Sequence, residues 1–189
     1  MRLQLKTIYM KTFFIAFTML FALNITAQEI NWMSLEEALE AQKTSPKKIF
    51  IDAYTVWCGP CKMLDRNTFK NEDVVKYINK NYYAVKFNAQ GDEEVTYKGK
   101  TYSNPGYDPA KAKTRNANHQ LSRVFGIRAF PTLVFLDEQS NVLAPIVGYK
   151  DAQGLELYLK MFAQNDHKDM KTQEDFNAYY ENFKFQFKK

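Results

Sequence analysis

Tyr54-Thr55-Val56-Trp57-Cys58-Gly59-Pro60-Cys61-Lys62 holds both cysteines of the 189-residue chain, separated by two residues. That spacing suits a reversible disulfide within one helical turn. The stretch follows an apolar run, Lys48-Ile49-Phe50-Ile51-Asp52-Ala53-Tyr54, that reads as a buried strand, and precedes a helix-like pattern reaching about Asn67. The segment therefore predicts a strand, a tight bend and two thiols at the start of a helix. A thiol attacks a disulfide as its thiolate. The unpaired N–H groups and the dipole of a helix N-terminus favour negative charge. Cys58, at that end, is the expected nucleophile, ionised near neutrality and reachable from water. Cys61, one turn further on the same face, would resolve the mixed disulfide. Gly59 lets the backbone bend without a Cβ clash. Pro60 fits a first helical turn, where its missing N–H costs nothing. Trp57 would cover one side of the sulfur.

Other chemistries use the same spacing. A Cys-x-x-Cys pair can be half of a zinc site, but such sites need about four ligands. There is no second cysteine pair, and His119 and His167 stand 48 residues apart in no ligand spacing, so no metal is assigned. A purely structural disulfide bridging so few residues constrains the unfolded chain little. A copper carrier using two soft thiolates, or a plain binding protein, stays open beside redox exchange.

Trp57-Cys58-Gly59-Pro60-Cys61-Lys62 resembles the active-site motif of the thioredoxin family, and the likeness extends over most of residues 48–162. Asp52 stands six residues before the nucleophile, where the family carries a buried acid. Lys86, in the strand-like run Tyr83-Ala84-Val85-Lys86-Phe87-Asn88, matches the lysine near that acid. Phe130-Pro131-Thr132 matches the segment whose cis-proline faces the active site, and Gly148 matches a glycine beside it in the last strand. The resemblance implies an α/β fold, a mixed sheet flanked by helices. It implies Cys58, Cys61, Asp52 and Lys86 as the catalytic set. Trp57, Gly59, Pro60, Ala129, Phe130, Pro131 and Gly148 would meet the substrate. A cis Phe130–Pro131 bond would leave the backbone of Ala129 and Phe130 free to pair with an extended substrate. Many relatives carry isoleucine where this chain has Phe130, so substrate fit or potential can differ. The implied activity is thiol–disulfide exchange, with the Cys58–Cys61 disulfide as the redox group and no other cofactor.

Burial of Asp52 inside an apolar strand should raise its pKa, which suits a proton acceptor for Cys61. Lys86 is expected to pair with it across neighbouring strands. The Gly-Pro dipeptide matches reducing members of the family and favours a reductase; an oxidase or isomerase is the rival direction.

Residues 1–27 read as a secretory signal peptide. Arg2, Lys6 and Lys11 precede an uncharged stretch from Thr12 to Gln28, 17 residues long, with Ile25-Thr26-Ala27 before the expected cut. That stretch is short for a membrane span of about 20 residues. The implied setting is the periplasm, with no tight membrane insertion after cleavage. Losing those three cations takes the net charge from +5 to +2, so nucleic acid is not an implied partner. Protein disulfides are the expected substrates, and a membrane-bound donor the expected source of electrons.

The rest of the chain completes one domain over residues 28–163. Ser34-Leu35-Glu36-Glu37 has capping-box spacing. Asn71 can cap a helix with Val74, Val75 and Ile78 on one side, and Asp151 a final helix through Phe162. Residues 89–117 are a polar insertion with a small hairpin turning near Gly99. Residues 164–189 are an aromatic extension. Thr172 can cap a helix there, while Phe183, Phe185 and Phe187 alternate as in a strand.

Overall fold

The computed structural model describes residues 28–189; the signal peptide expected at 1–27 lies outside the described residues. Five strands form one sheet: β1 (Trp32–Met33), β2 (Lys48–Tyr54), β3 (Tyr82–Asn88), β6 (Thr132–Leu136) and β7 (Val142–Val147). Their order is β1-β3-β2-β6-β7. β3 runs parallel to both β1 and β2, whereas β6 is antiparallel to β2 and β7. β2 is thus the centre, and its residues are buried on both faces, which is why its sequence is nearly continuous in apolar side chains. Pro145 is accommodated because β7 is an edge strand, free of one ladder. The short β1 carried no strand signal of its own and owes its pairing to β3.

Side-chain alternation along β2 sorts the core into two layers. Ile49, Ile51 and Ala53 pack with α1 (Leu35–Thr44), with α4 (Gln120–Val124), and with β4 (Val95–Tyr97) of the insertion hairpin. Phe50 faces the other way, onto α2 (Gly59–Arg66), α3 (Glu72–Asn81) and α5 (Ala152–Ala163). Asp52 shares that second face by the two-residue period. The helix starts follow their caps. Ser34 and Glu37 close a reciprocal capping box, Asn71 accepts from the N–H groups of Asp73 and Val74, and Asp151 accepts from Gly154.

The insertion forms a hairpin of β4 with β5 (Lys100–Tyr102), whose turn carries Lys98 and Gly99 at positive φ. Tyr97 is buried and packs edge-on to Phe125. Its ring therefore builds core.

In the extension, Thr172 and Asp175 cap α6 (Gln173–Asn182) with a second capping box. No strand forms after it: Phe183 and Phe185 lie in irregular chain, and of the three alternating rings only Phe187 is buried. The reason is a fully buried carboxylate. Glu156 on α5 accepts from the N–H groups of Gln186 and Phe187 and from Lys160 Nζ. Those bonds take N–H groups that a strand ladder would need. Lys188 continues the clasp, donating its N–H to Asp73 while its carbonyl accepts from Asn71. Phe187→Ala removes the plug between α3 and α5, and is expected to destabilise the protein by about 3 kcal/mol in urea unfolding, as for other buried Phe truncations.

Candidate active site

The bend after β2 places Cys58 as the N-cap of α2, in extended backbone, with Pro60 in the first turn. Cys58 and Cys61 form a disulfide. The Cys58 sulfur also accepts from the Cys61 N–H at 3.1 Å, so one orphan donor of the helix end is aimed at it. The expected exposure of Cys58 is corrected: both cysteines are only 2% exposed. In the oxidised pair, the bond to Cys61 and the Cys61 N–H hold the sulfur in against the helix end. Gly59 and Pro60 beside it are exposed. The role expected for Gly59 is corrected too. It has no positive φ, and a Cβ there would meet nothing within 4 Å. The bend does not need glycine; its absent side chain instead leaves an open approach over the disulfide.

Beneath α2 lies a charged joint. Asp52 is 0% exposed, and Lys86, its register partner on β3, donates to its Oδ2 at 2.7 Å. Asp52 Oδ1 is buried without a partner. Burial pushes the Asp52 pKa up to about 6, against the opposing pull of Lys86. Lys86 also donates to Asp65 on α2, so one ammonium ties the sheet to the cysteine-bearing helix. Burial pulls the Lys86 pKa down, but the two carboxylates outweigh it and the net shift is upward. The rings of Trp32, Tyr54 and Phe69 surround the same ammonium at about 5 Å. Asp65 was missed from sequence. Its signal was available: it stands four residues after Cys61, on the same helical face.

The segment before β6 supplies the opposite wall. The Phe130–Pro131 bond is cis. The Gly148 N–H donates to the Pro131 carbonyl at 2.8 Å; Gly148, at positive φ, sits just past the end of β7 rather than within the last strand. Ala129 is exposed, and its carbonyl accepts from the Thr132 hydroxyl. Its neighbour Phe130 is half-buried, and its backbone N–H and carbonyl make no hydrogen bond among the described residues outside helices and strands.

Trp57 joins this wall to the insertion. Its ring stands edge-on to Phe130 with centroids 6.1 Å apart, and its Nε1–H donates to Gln90 Oε1 at 2.8 Å. The same Gln90 oxygen accepts from the Asn116 N–H, and the Arg115 guanidinium lies 4.6 Å from the indole centre. Gln90, Arg115 and Asn116 were not assigned from sequence. They belong to the insertion, whose polar composition gives no hint of what it touches.

Two outcomes follow from this geometry. Asp52 is protonated in both folded and unfolded chains below about pH 4 and ionised in both above about pH 6. A raised folded pKa stabilises the fold at low pH, and that stability is lost as pH rises through 6. Asp52→Asn should therefore stabilise the oxidised protein by roughly 2–3 kcal/mol at pH 8, with the gain vanishing below pH 4, as read by urea unfolding across pH. Gly59→Ala should leave stability unchanged or raise it by up to about 1 kcal/mol, because the site is open and helical.

Comparisons with known proteins agree with this fold. The thioredoxin-like domain family matches residues 35–163. A thiol:disulfide interchange protein, DsbD, from Photorhabdus laumondii is 24% identical over 124 residues, 65% of this chain but 17% of that protein's length. Among solved structures, a thioredoxin-fold protein from Helicobacter pylori superposes with a TM-score of 0.56 at 16% identity, covering 84% of this chain and 93% of that one. A putative disulphide-isomerase from Bacteroides thetaiotaomicron gives 0.50 at 28% identity, covering 72% and 94%. With most of its length matched and the cysteine pair capping the first helix after the central strand, the chain belongs to the thioredoxin-like domain family.

Proposed function

We propose that the protein is an exported thiol–disulfide oxidoreductase that reduces disulfides of other proteins. The observation that carries this reading is the Cys58–Cys61 disulfide at the N-terminus of α2, a helix that Lys86 ties to a buried carboxylate with one unpartnered oxygen. In the reduced protein, the Cys58 thiolate attacks one sulfur of a substrate disulfide. A bond forms between that sulfur and Cys58, and the other substrate sulfur leaves as thiolate and takes a proton from water. Asp52 then accepts the Cys61 proton, for which a pKa of about 6 leaves it ionised at neutral pH. The Cys61 thiolate attacks Cys58, the Cys58–Cys61 bond forms, and the second substrate thiolate departs. Two electrons have passed from the dithiol to the substrate. Lys86 keeps its charge through this cycle and orients Asp52, while Trp57, Phe130, Pro131 and the backbone of Ala129 receive the substrate chain beside the exposed Gly59 and Pro60.

The direction rests on the Gly-Pro dipeptide, which reducing members of the family share. The setting rests on the leader-like residues 1–27, which support export to the periplasm, and on the name of the Photorhabdus relative, a thiol:disulfide interchange protein. A reductase there needs electrons from elsewhere, and a membrane-bound donor acting on the same cysteines supplies them in this scheme. Among the described residues no helix is long and apolar enough to cross a membrane.

Cys61→Ser should trap substrate proteins as mixed disulfides on Cys58, visible on non-reducing gels, and Cys58→Ser should trap none. Equilibration of the mature protein with glutathione should give a potential near that of reducing thioredoxins, about −270 mV; a value near about −120 mV would reverse the assigned direction.

A further inference from the structure

A groove of about 950 Å³ opens between the insertion hairpin and α4. One wall is β5 with Ser103; the other is α4 and the chain from Gly126 to Arg128. The walls are tied together. The Ser103 N–H donates to Gln120 Oε1, and the Gln120 N–H returns a bond to the Ser103 carbonyl, both at 3.0 Å. His119, buried between them, is held at both ring nitrogens: Nδ1 accepts from the Leu121 N–H, and Nε2 bonds the Glu93 carbonyl at 2.8 Å. The shape is therefore preformed.

The charge on this shape has one sign. Lys100, Arg123 and Arg128 line it and are exposed, and no aspartate or glutamate lines it. None of the three makes an ion pair among the described residues. Glu93 gives its carbonyl to His119 and is not itself part of the lining. Three cations along one fixed groove, on a chain whose mature net charge is close to neutral, form a local field that attracts an anionic segment.

Residues of the lining are linked to those beside the redox pair. Arg128 is two residues from Phe130, whose ring meets Trp57. Asn118, on the groove lining, accepts from the Gln90 amide, which in turn holds the Trp57 indole. A chain lying in the groove would thus emerge beside the wall formed by Trp57 and Phe130.

We propose that this groove seats an acidic, extended segment of the protein that exchanges thiols with Cys58. The proposal rests on the disulfide-exchange reading and adds to it the chemistry of the partner. The segment's carboxylates would meet Lys100, Arg123 and Arg128, and its cysteine would reach Cys58 past Phe130.

The test uses the reduced mature protein and synthetic peptides carrying one cysteine blocked as a mixed disulfide with 2-thiopyridine. A run of four glutamates or four lysines flanks the cysteine on either side. Attack by Cys58 on the peptide sulfur forms the Cys58–peptide bond and expels 2-thiopyridone, which is read by absorbance. Cys61 then releases the peptide as a free thiol. The glutamate peptide is expected to react about tenfold faster than the lysine peptide at low salt, with the ratio falling as salt is added. The variant Lys100→Glu/Arg123→Glu/Arg128→Glu should abolish or reverse that ratio while keeping the wild-type rate with neutral 2,2′-dithiodipyridine. The glutamine triple variant at the same positions, which should level the ratio, serves if charge reversal disturbs folding. Equal rates for the two peptides, or a preference that survives in the variants, would overturn the proposal. Loss of the preference on adding inorganic phosphate at matched ionic strength would overturn it also, by assigning the groove to small anions. A reduced protein inert even to 2,2′-dithiodipyridine would remove the exchange reading itself.

Discussion

The contact on which the site depends is that of Lys86 with two carboxylates from two different elements. Asp52 belongs to the central strand and Asp65 to the helix that carries the cysteines. Without the ammonium, a carboxylate at 0% exposure would face the helix with nothing to offset its desolvation. With it, the carboxylate stays ionisable, and its pKa settles near 6. The parallel register of β2 and β3 puts Asp52 and Lys86 side by side, and β2 can take that place only because both its faces are covered by helices. The fold and the buried acid are one arrangement.

Much of this was legible in the sequence because it is local. The caps at Ser34, Asn71, Asp151 and Thr172 are written within four residues of the bonds they make. The alternation of Phe50, Asp52 and Tyr54 against Ile49, Ile51 and Ala53 sorted the two core layers. The likeness of Trp57 to Lys62, Asp52, Lys86, Pro131 and Gly148 to one family led to the same fold that the structure and the family match display. What escaped was tertiary. The path of the chain after Asn182 is decided by Glu156, some thirty residues away, and aromatic alternation alone could not reveal a buried acceptor that consumes the N–H groups of Gln186 and Phe187. The partners of Trp57 escaped for the same reason: Gln90, Arg115 and Asn116 look like solvent-facing residues of a polar loop until the loop is folded back on the indole.

The insertion accordingly serves more than one end. Tyr97 and Val95 complete the core layer under α1 and α4, Gln90 and Arg115 steady the tryptophan before Cys58, and β5 shapes one wall of the basic groove. A segment with so few apolar residues earns its order from hydrogen bonds such as those of Asn104 to the Gly91 and Ala117 carbonyls and of Asn116 to Asp108.

Both sulfurs of the oxidised pair are shut away from solvent, open only past two small residues. Such a pair behaves like an insulated terminal. In the exchange proposed above, small thiols would reach it slowly and a protein fitted to the opening would recharge it faster. Under that scheme selectivity would come from fit, and two thiol pools in one compartment could stay out of equilibrium with each other.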